Sequence, residues 1–221
     1  MPYNLDIPGW MTKRSLKIIE KWAKEIPPGG TMVEVGSFGG RSAWAWAKSV
    51  HPSVTVICID RWEPLAYNPN TARRQEMFGT GKEQLECTID SFRKNVADCP
   101  NIRAVKARSP YFPADADIPE KVDCVFLDER HKNPDFRDNL HFWAKRLKPG
   151  ALFCGDDFHG NAKDVISEVT KMANEQNKLV WTYSFLWRFN TPGSETLNRV
   201  VPTLEKAASE RSGQEPALVA G

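Results

Sequence analysis

A short apolar strand that runs directly into a glycine-rich turn constrains this chain more than any other feature. The strand is predicted at 31–36, an amphipathic helix follows the turn at 40–49, and a second strand at 54–60 ends on Asp60. Glycine lets a backbone approach a ligand closely, and a helix N-terminus offers free N–H groups to a carboxylate or phosphate. The segment therefore predicts a nucleotide-binding βαβ unit.

The glycine pattern of the turn narrows the ligand. It is G-x-x-G-G, because Phe38 stands where a dinucleotide-binding turn has its second glycine. A nucleoside ligand without a pyrophosphate is therefore favoured, and S-adenosylmethionine (SAM) is such a ligand. Asp60 is placed to accept both ribose hydroxyls. A nicotinamide-dependent oxidoreductase would also use this unit and Asp60, but it predicts the absent G-x-G-x-x-G.

The rest of the chain continues to alternate between predicted helices and strands. Helices are predicted at 12–26, 83–97, 134–147 and 161–176, and strands at 101–107, 122–128, 151–156, 178–184 and 185–190, with 148–150 as the turn into the strand at 151. Alternation of this kind predicts an α/β fold. We expect a Rossmann-like, doubly wound, mostly parallel sheet with helices on both faces and a C-terminal antiparallel strand.

Three units are predicted along the chain. Residues 1–30 form an N-terminal helical cap, 31–198 the SAM-binding domain, and 199–221 a polar, flexible tail. Residues 61–82 are rich in Pro, Asn and Gly and predict a long irregular loop, which is usually functional or disordered at this length. Because this loop follows the strand that ends at Asp60, we expect it to be an active-site loop.

The composition excludes several classes of function. Thirty basic residues against 28 acidic ones give a net charge of +2, and they are scattered, so nucleic-acid binding is not indicated. No apolar run reaches the length of a membrane span, and the first ten residues lack the apolar core of a secretory signal. We therefore expect a cytoplasmic protein that acts on a small molecule, with neither a membrane nor a nucleic acid as partner. Its oligomeric state stays open, a homo-oligomer included.

Three carboxylates follow two of the predicted strands. Asp128 ends one strand, and Asp156 and Asp157 end the next. If these strands are neighbours, their ends lie about 5 Å apart, and the repulsion between the acids favours a divalent cation with oxygen ligands, such as Mg²⁺. The alternative is that one acid caps a helix and another pairs with Arg130 or Arg137.

The stretch EVGSFGGRSA resembles the first motif of the class I SAM-dependent methyltransferases, E-x-G-x-x-x-G-x-S. Over roughly residues 10–190 the chain is similar to the catechol O-methyltransferase-like and macrocin-type sugar O-methyltransferases of that class. The resemblance implies SAM as cofactor, bound by Glu34, Gly36, Ser37, Phe38, Gly40, Ser42, Asp60, Arg61, Trp62, Ser109 and Asp128.

The same resemblance implies a role for each part of this set. Gly36 and Phe38 would line the methionine part of SAM, and Ser42 would hydrogen-bond its carboxylate. Asp60 stands where the family has its ribose-binding acid. Arg61, Trp62 and Ser109 would lie near the adenine.

The runs VFLDERH and LKPGALFCGDDF are similar to the metal-binding half of this family. They place Asp128, Asp156 and Asp157 on the three metal-ligand positions, which implies Mg²⁺ or another divalent cation. His131 falls three residues after Asp128, where relatives carry the Lys or His that removes the substrate proton.

The chemistry of methyl transfer also requires a base. Transfer from a sulfonium is an in-line displacement by an oxygen that must lose its proton, and a bound cation would lower the pKa of that hydroxyl. Histidine ordinarily titrates near neutrality, so His131 is the predicted base and His159 its rival. Lys132 is disfavoured, because an exposed lysine is protonated at neutral pH.

We therefore expect a SAM-dependent O-methyltransferase that acts on a hydroxyl of a sugar or a phenol with assistance from a divalent cation. Two alternatives stay open. One is a metal-independent methyltransferase of the same fold, and the other is a catalytically inactive SAM-binding module.

Overall fold

The computed structural model describes residues 3–63 and 88–190. The helices are α1 (Lys13–Ala23), α2 (Arg41–Ser49), α3 (Ile89–Asn95), α4 (Asp135–Ala144) and α5 (Lys163–Glu175). The strands are β1 (Thr31–Val35), β2 (Thr55–Asp60), β3 (Ile102–Lys106), β4 (Val122–Leu127), β5 (Leu147–Gly155), β6 (Leu179–Tyr183) and β7 (Leu186–Asn190). The tail predicted at 199–221, and the active-site loop beyond residue 63, lie outside the described residues.

All seven strands form a single sheet in the order β3-β2-β1-β4-β5-β7-β6. The first five strands along the chain pair in parallel, and β7 pairs antiparallel with both β5 and β6. The strand order reverses between β1 and β4, so a crevice opens beyond their carboxyl ends. The predicted doubly wound, mostly parallel sheet with a C-terminal antiparallel strand is confirmed.

The strands divide their side chains between two hydrophobic clusters, one on each face of the sheet. In β4, Cys124 and Phe126 pack in the cluster that also contains side chains of α1 and α2. Val125 and Leu127 alternate with them and pack against α4 and α5. Both faces are therefore covered, as a mostly parallel sheet requires.

Helix α1 forms because its apolar residues repeat at helical spacing and its first turn is capped. The Thr12 side chain accepts a hydrogen bond from the backbone N–H of Ser15, and Leu16, Ile19 and Trp22 are buried along one face. Burying side chains of this size stabilises the fold by about 1.5–3 kcal/mol each. The helix packs on α2 and brings the segment before it next to the glycine turn.

The boundary predicted between the helix at 134–147 and the strand at 151–156 is wrong. Helix α4 ends at Ala144, and Leu147 already pairs with Val122, so residues 148–150 form a bulge inside β5 and not a turn before it. Gly150 supplies the left-handed backbone, at φ +78°, that the bulge needs. The helix predicted at 83–97 is α3, which begins after the capping residue Thr88, and residues 83–87 lie outside the described part.

No helix within residues 3–63 or 88–190 has the length and apolarity that a bilayer crossing demands.

Candidate active site

A cavity of about 350 Å³ opens at the carboxyl ends of β1, β2 and β4. This is the position at which doubly wound sheets bind ligands, and the volume lies within the usual range for small-molecule sites. Eleven of the residues predicted from the sequence line it: Gly36, Ser37, Phe38, Ser42, Asp60, Arg61, Trp62, Asp128, His131, Asp156 and Asp157. Glu34, Gly40 and Ser109 are not part of this lining.

The glycines of the turn are required by contacts within the protein. At Gly36, where φ is +93°, a β-carbon would overlap the backbone carbonyl of Asp128. At Gly40, which caps α2 with φ +100°, a β-carbon would lie 2.9 Å from the Val96 side chain. These glycines therefore let neighbouring segments of chain meet, a role that the sequence pattern did not predict.

Asp60 holds the turn by accepting two backbone hydrogen bonds. One carboxylate oxygen accepts from the N–H of Phe38 and the other from the N–H of Trp62, both at 2.8 Å. Trp62 is buried against Phe92, and its indole N–H donates to the Phe38 carbonyl. Trp62 therefore packs in the core beneath the cavity, while the Arg61 guanidinium pairs with Glu63 at 3.3 Å.

Glu34 is fully buried below the turn, beside the hydroxyls of Ser37 and Ser42. Neither carboxylate oxygen makes a well-formed hydrogen bond. Burial therefore dominates and raises the pKa of Glu34 to about 7, although the two serine hydroxyls oppose the shift. Asp60 adds to it through charge repulsion.

The buried strand-end acids Asp128 and Asp156 lie where nearby negative charges repel them. Burial, and then the charges of Asp156 and Asp157, raise the pKa of Asp128 well above its ordinary value. Burial and the charge of Asp157 raise the pKa of Asp156 to about 6, and its Oδ1 atom is buried without a hydrogen-bond partner. All three acids line the same cavity.

Asp157 bridges two histidines. Its carboxylate lies 2.9 Å from Nδ1 of His131 and 3.2 Å from Nε2 of His159. Burial raises the pKa of Asp157, but the hydrogen bonds and charges of the two histidines outweigh it, so the pKa is lowered overall. About half of the His131 side chain is exposed, whereas His159 is largely covered and packs against the Phe185 ring.

The arginine alternative for these acids does not hold in the described part of the chain. Arg130 pairs with Asp135 at 3.6 Å, and Arg137 pairs with Asp138 at 3.3 Å. The strand-end acids therefore keep their mutual repulsion. Across residues 3–63 and 88–190, no group of three or more His, Cys, Asp or Glu side chains is arranged as a metal centre.

Ser109 belongs to a buried hydrogen-bond network. Its hydroxyl lies 2.5 Å from the Asn139 amide oxygen and accepts from the Trp143 indole N–H at 3.0 Å. The amide nitrogen of Asn139 donates in turn to Glu129 at 2.9 Å. Ser109 thus reaches the cavity through Asn139 and Glu129, which the position after a strand could not reveal.

Glu129 and Arg41 are among the lining residues that the sequence pattern did not predict. Glu129 lines the cavity, and its pKa is raised to about 7 by burial and by the charge of Asp60. Arg41 is buried at the start of α2 and fixes the N-terminal segment that forms one wall of the cavity. The sequence did offer a signal, because Glu129 directly follows Asp128 and Arg41 directly follows the glycine turn.

Comparisons with known proteins agree with this geometry. Residues 33–158 match a family described as "Methyltransferase domain", which is more than half of the 221 residues. No curated protein matches the sequence significantly.

Solved structures show the same fold at low sequence identity. The O-methyltransferase NovP superposes with a TM-score of 0.60 at 13% identity, covering 80% of this chain and 79% of its own. Precorrin-6y C5,15-methyltransferase from Geobacter metallireducens gives 0.57 at 13% identity, covering 82% and 90%. The O-methyltransferase TomG from Streptomyces achromogenes, solved in complex with SAM, gives 0.52 at 18% identity and covers 82% of each chain.

Proposed function

The chain belongs to this methyltransferase family and is a SAM-dependent methyltransferase of class I, as its sequence predicted, and from that premise we propose that it methylates a hydroxyl of a small molecule, a sugar or a phenol, with the assistance of a divalent cation. One observation carries the proposal. The glycine turn, Asp60, the strand-end acids and His131 all line the same cavity.

For the cofactor, Asp60 would bind the ribose. Each of its oxygens already accepts one backbone N–H, which fixes the carboxylate, and each retains lone-pair capacity for a ribose hydroxyl. Ser42 lies in the first turn of α2, where the helix end carries partial positive charge, and this suits the methionine carboxylate of SAM. Phe38 and the stacked Trp10 would flank the ligand.

For the chemistry, His131 would take the proton from the acceptor hydroxyl. Its Nδ1 lies 2.9 Å from Asp157, so that carboxylate would orient the ring and stabilise the imidazolium that forms. The proton would then be accepted at Nε2. His159 contacts the same carboxylate through Nε2 and is less exposed, which makes it the weaker candidate.

The strand-end acids supply the oxygen donors that a hard divalent cation prefers, although the described residues are not arranged as a metal centre. All three ligands would be carboxylates, those of Asp128, Asp156 and Asp157, and Oδ1 of Asp156 is buried without a partner. When bound, the cation would lower the pKa of the acceptor hydroxyl and relieve the repulsion among the acids.

A metal-independent methyltransferase is the second candidate, and a specific contact favours it. Asp157 is already hydrogen-bonded to both histidines, so His131 could act as base with no cation present. Both candidates assign the same residue to proton removal. They differ in whether Asp156 is required for turnover.

One set of measurements separates these possibilities. SAM binding is measured by calorimetry, and methyl transfer to a panel of phenols and sugars is followed as S-adenosylhomocysteine formed. We expect Asp60→Ala to weaken SAM binding by about 1–3 kcal/mol, because a charge-assisted partner of the ribose is lost. The exposed Asp90→Ala on α3 is the matched control and should bind SAM as the wild type does.

Treatment with EDTA tests the cation. Activity that disappears with EDTA and returns with Mg²⁺ or Mn²⁺ supports metal assistance, whereas full activity in EDTA supports the metal-independent enzyme. SAM binding without transfer to any hydroxyl compound would contradict the proposed O-methyl transfer and favour the inactive binding module.

A further inference from the structure

A second cavity, of about 560 Å³, adjoins the first at the start of α4. It shares Arg130 and His131 with the first cavity. Its lining consists of Arg108, Arg130, His131, Lys132, Asn133, Pro134 and Asp135. A ligand that occupies both cavities would therefore pass directly beside His131.

The charges of this lining are strongly unequal. Arg108, Arg130 and Lys132 carry positive charge at neutral pH, and Asp135 is the lining's one carboxylate. The Asp135 carboxylate forms ion pairs with two guanidinium groups, that of Arg108 at 2.6 Å and that of Arg130 at 3.6 Å. Among the described residues, no carboxylate lies within ion-pair distance of the Lys132 ammonium. Three cations against one anion leave an excess positive charge before His131 is counted.

The acids of the neighbouring helix are already engaged. On α5, the Asp164 carboxylate accepts from the backbone N–H of Asn133 at 2.9 Å, and Glu168 accepts from the Asn133 side chain at 2.7 Å. These contacts fix the loop that carries Lys132. The two carboxylates therefore support the cavity wall through Asn133, and neither forms an ion pair with a cation of the lining.

We infer that the acceptor carries an anionic group, a carboxylate or a phosphate, and that this second cavity binds it. The inference rests on the proposed function, because it names the class of acceptor for the same site. Arg108, held by Asp135, presents its guanidinium in a fixed orientation, and Arg130 and Lys132 supply the remaining charge. Guanidinium groups bind carboxylate and phosphate oxygens in paired hydrogen bonds, which gives orientation as well as affinity.

Anchoring the anion here has a consequence for catalysis. The two cavities meet at His131, so an acceptor fixed by its anionic group would hold its hydroxyl near the proposed base. Holding two reacting groups in place converts an encounter into a positioned step. The second cavity would thus act by positioning, while the proton transfer itself stays with His131.

The test compares two acceptors that differ in charge. The full-length protein, saturated with S-adenosylhomocysteine, is titrated with 3,4-dihydroxybenzoate, with the neutral 3,4-dihydroxybenzyl alcohol, and with inorganic phosphate. The variant is Arg130→Gln combined with Lys132→Gln. The control is Lys17→Gln combined with Lys21→Gln on the exposed face of α1, which removes the same net charge far from the cavity.

We expect the wild type to bind the benzoate about tenfold more tightly than the alcohol, and phosphate to compete with it, because a charge-assisted contact is of that order. The variant should lose the preference and the control should keep it. If phosphate binds more tightly than the benzoate, the anionic group of the acceptor is assigned as a phosphate.

Equal binding of the benzoate and the benzyl alcohol by the wild type would overturn the inference. So would a preference for the benzoate that survives in the variant. So would the absence of any binding of benzoate and phosphate at about 10 mM, which is well above the dissociation constants of specific sites. Methyl transfer to the neutral diol with no anionic preference would refute the inference and leave the proposed function standing. Anion binding that the variant loses, without methyl transfer to any diol, would support the anion site and contradict the proposed function.

Discussion

The buried Arg41 offers the sharpest test of how the cofactor cavity is built. Its guanidinium donates to three backbone carbonyls of the N-terminal segment: Leu5 at 3.0 Å, Ile7 at 2.8 Å and Met11 at 3.1 Å. Only 7% of the residue is exposed. The same segment carries Trp10 and Met11 into the cavity wall. We predict that Arg41→Met releases the segment and weakens SAM binding.

The magnitude follows from these contacts. Hydrogen bonds from a charged donor contribute about 1.5–3 kcal/mol each, so the lower end of that range gives about 4.5 kcal/mol for three. The freed carbonyls of residues 5–11 can return to water, which offsets part of the loss. We therefore expect Arg41→Met to lower the free energy of unfolding by about 2–4 kcal/mol. Arg41→Lys should recover little of it, because a single ammonium cannot reach three carbonyls in the geometry of the guanidinium fork.

Urea unfolding and calorimetry with SAM measure the two effects. SAM affinity should fall about tenfold, which corresponds to about 1.4 kcal/mol, since one wall of the cavity is lost. Arg14→Met is the control, because exposed Arg14 donates a hydrogen bond to the Tyr183 hydroxyl and lies over that ring, and losing these surface contacts should change stability by less than about 1 kcal/mol. An Arg41→Met protein that unfolds like the wild type and binds SAM with unchanged affinity would refute this account of the segment.

Three further predictions address the rest of the site. His131→Ala should leave SAM binding intact and slow methyl transfer by about 10²–10⁴-fold, the usual cost of losing a general base. His159→Ala should slow methyl transfer much less. If single-turnover rates show the reverse order, the role of base passes to His159. The pKa of Glu34 is raised in the folded protein from 4.5 to about 7, so the folded state binds the extra proton and stability falls as pH rises through that interval, by about 3 kcal/mol for this group. Glu34→Gln should therefore gain stability relative to wild type between those pH values in urea unfolding, and a difference that is constant with pH would contradict it. Gly36→Ala should destabilise the fold by about 3 kcal/mol or more, because the added methyl overlaps the Asp128 carbonyl at a positive φ; thermal unfolding close to that of the wild type would show that the turn can shift.

Much of the architecture can be predicted from short segments of the sequence. The glycine turn after a strand, the acid at the end of the next strand and the two later strand-end acids follow from short-range patterns. Parallel strands bring their carboxyl ends to one edge, so Asp60, Asp128 and Asp156 had to meet there once the sheet was predicted. Strand alternation extends this further, because Glu34 shares the α1–α2 face of the sheet with Met32, two positions earlier in β1.

Other features depend on contacts between residues that are distant in the chain, and only the tertiary structure decided them. The glycines turned out to serve the meeting of chain segments, because the clash at Gly36 is with Asp128, which lies 92 positions later in the sequence. Ser109, predicted beside the adenine, is drawn into a network with Asn139 and Trp143 on another element. Local periodicity carries no information about such partners.

The contrast between what the sequence determines and what the tertiary structure determines is clearest at the three strand-end acids. The sequence by itself determined that Asp128, Asp156 and Asp157 gather at one edge of a sheet, because strand direction follows from the βαβ pattern. Only the tertiary structure decided that Asp157, at φ +63°, turns its carboxylate to His131 and His159, while Asp156 keeps a buried oxygen without a partner. Which acid finds a hydrogen-bond partner depends on side-chain contacts between the loops that follow β4 and β5, and no spacing along the chain encodes those distances.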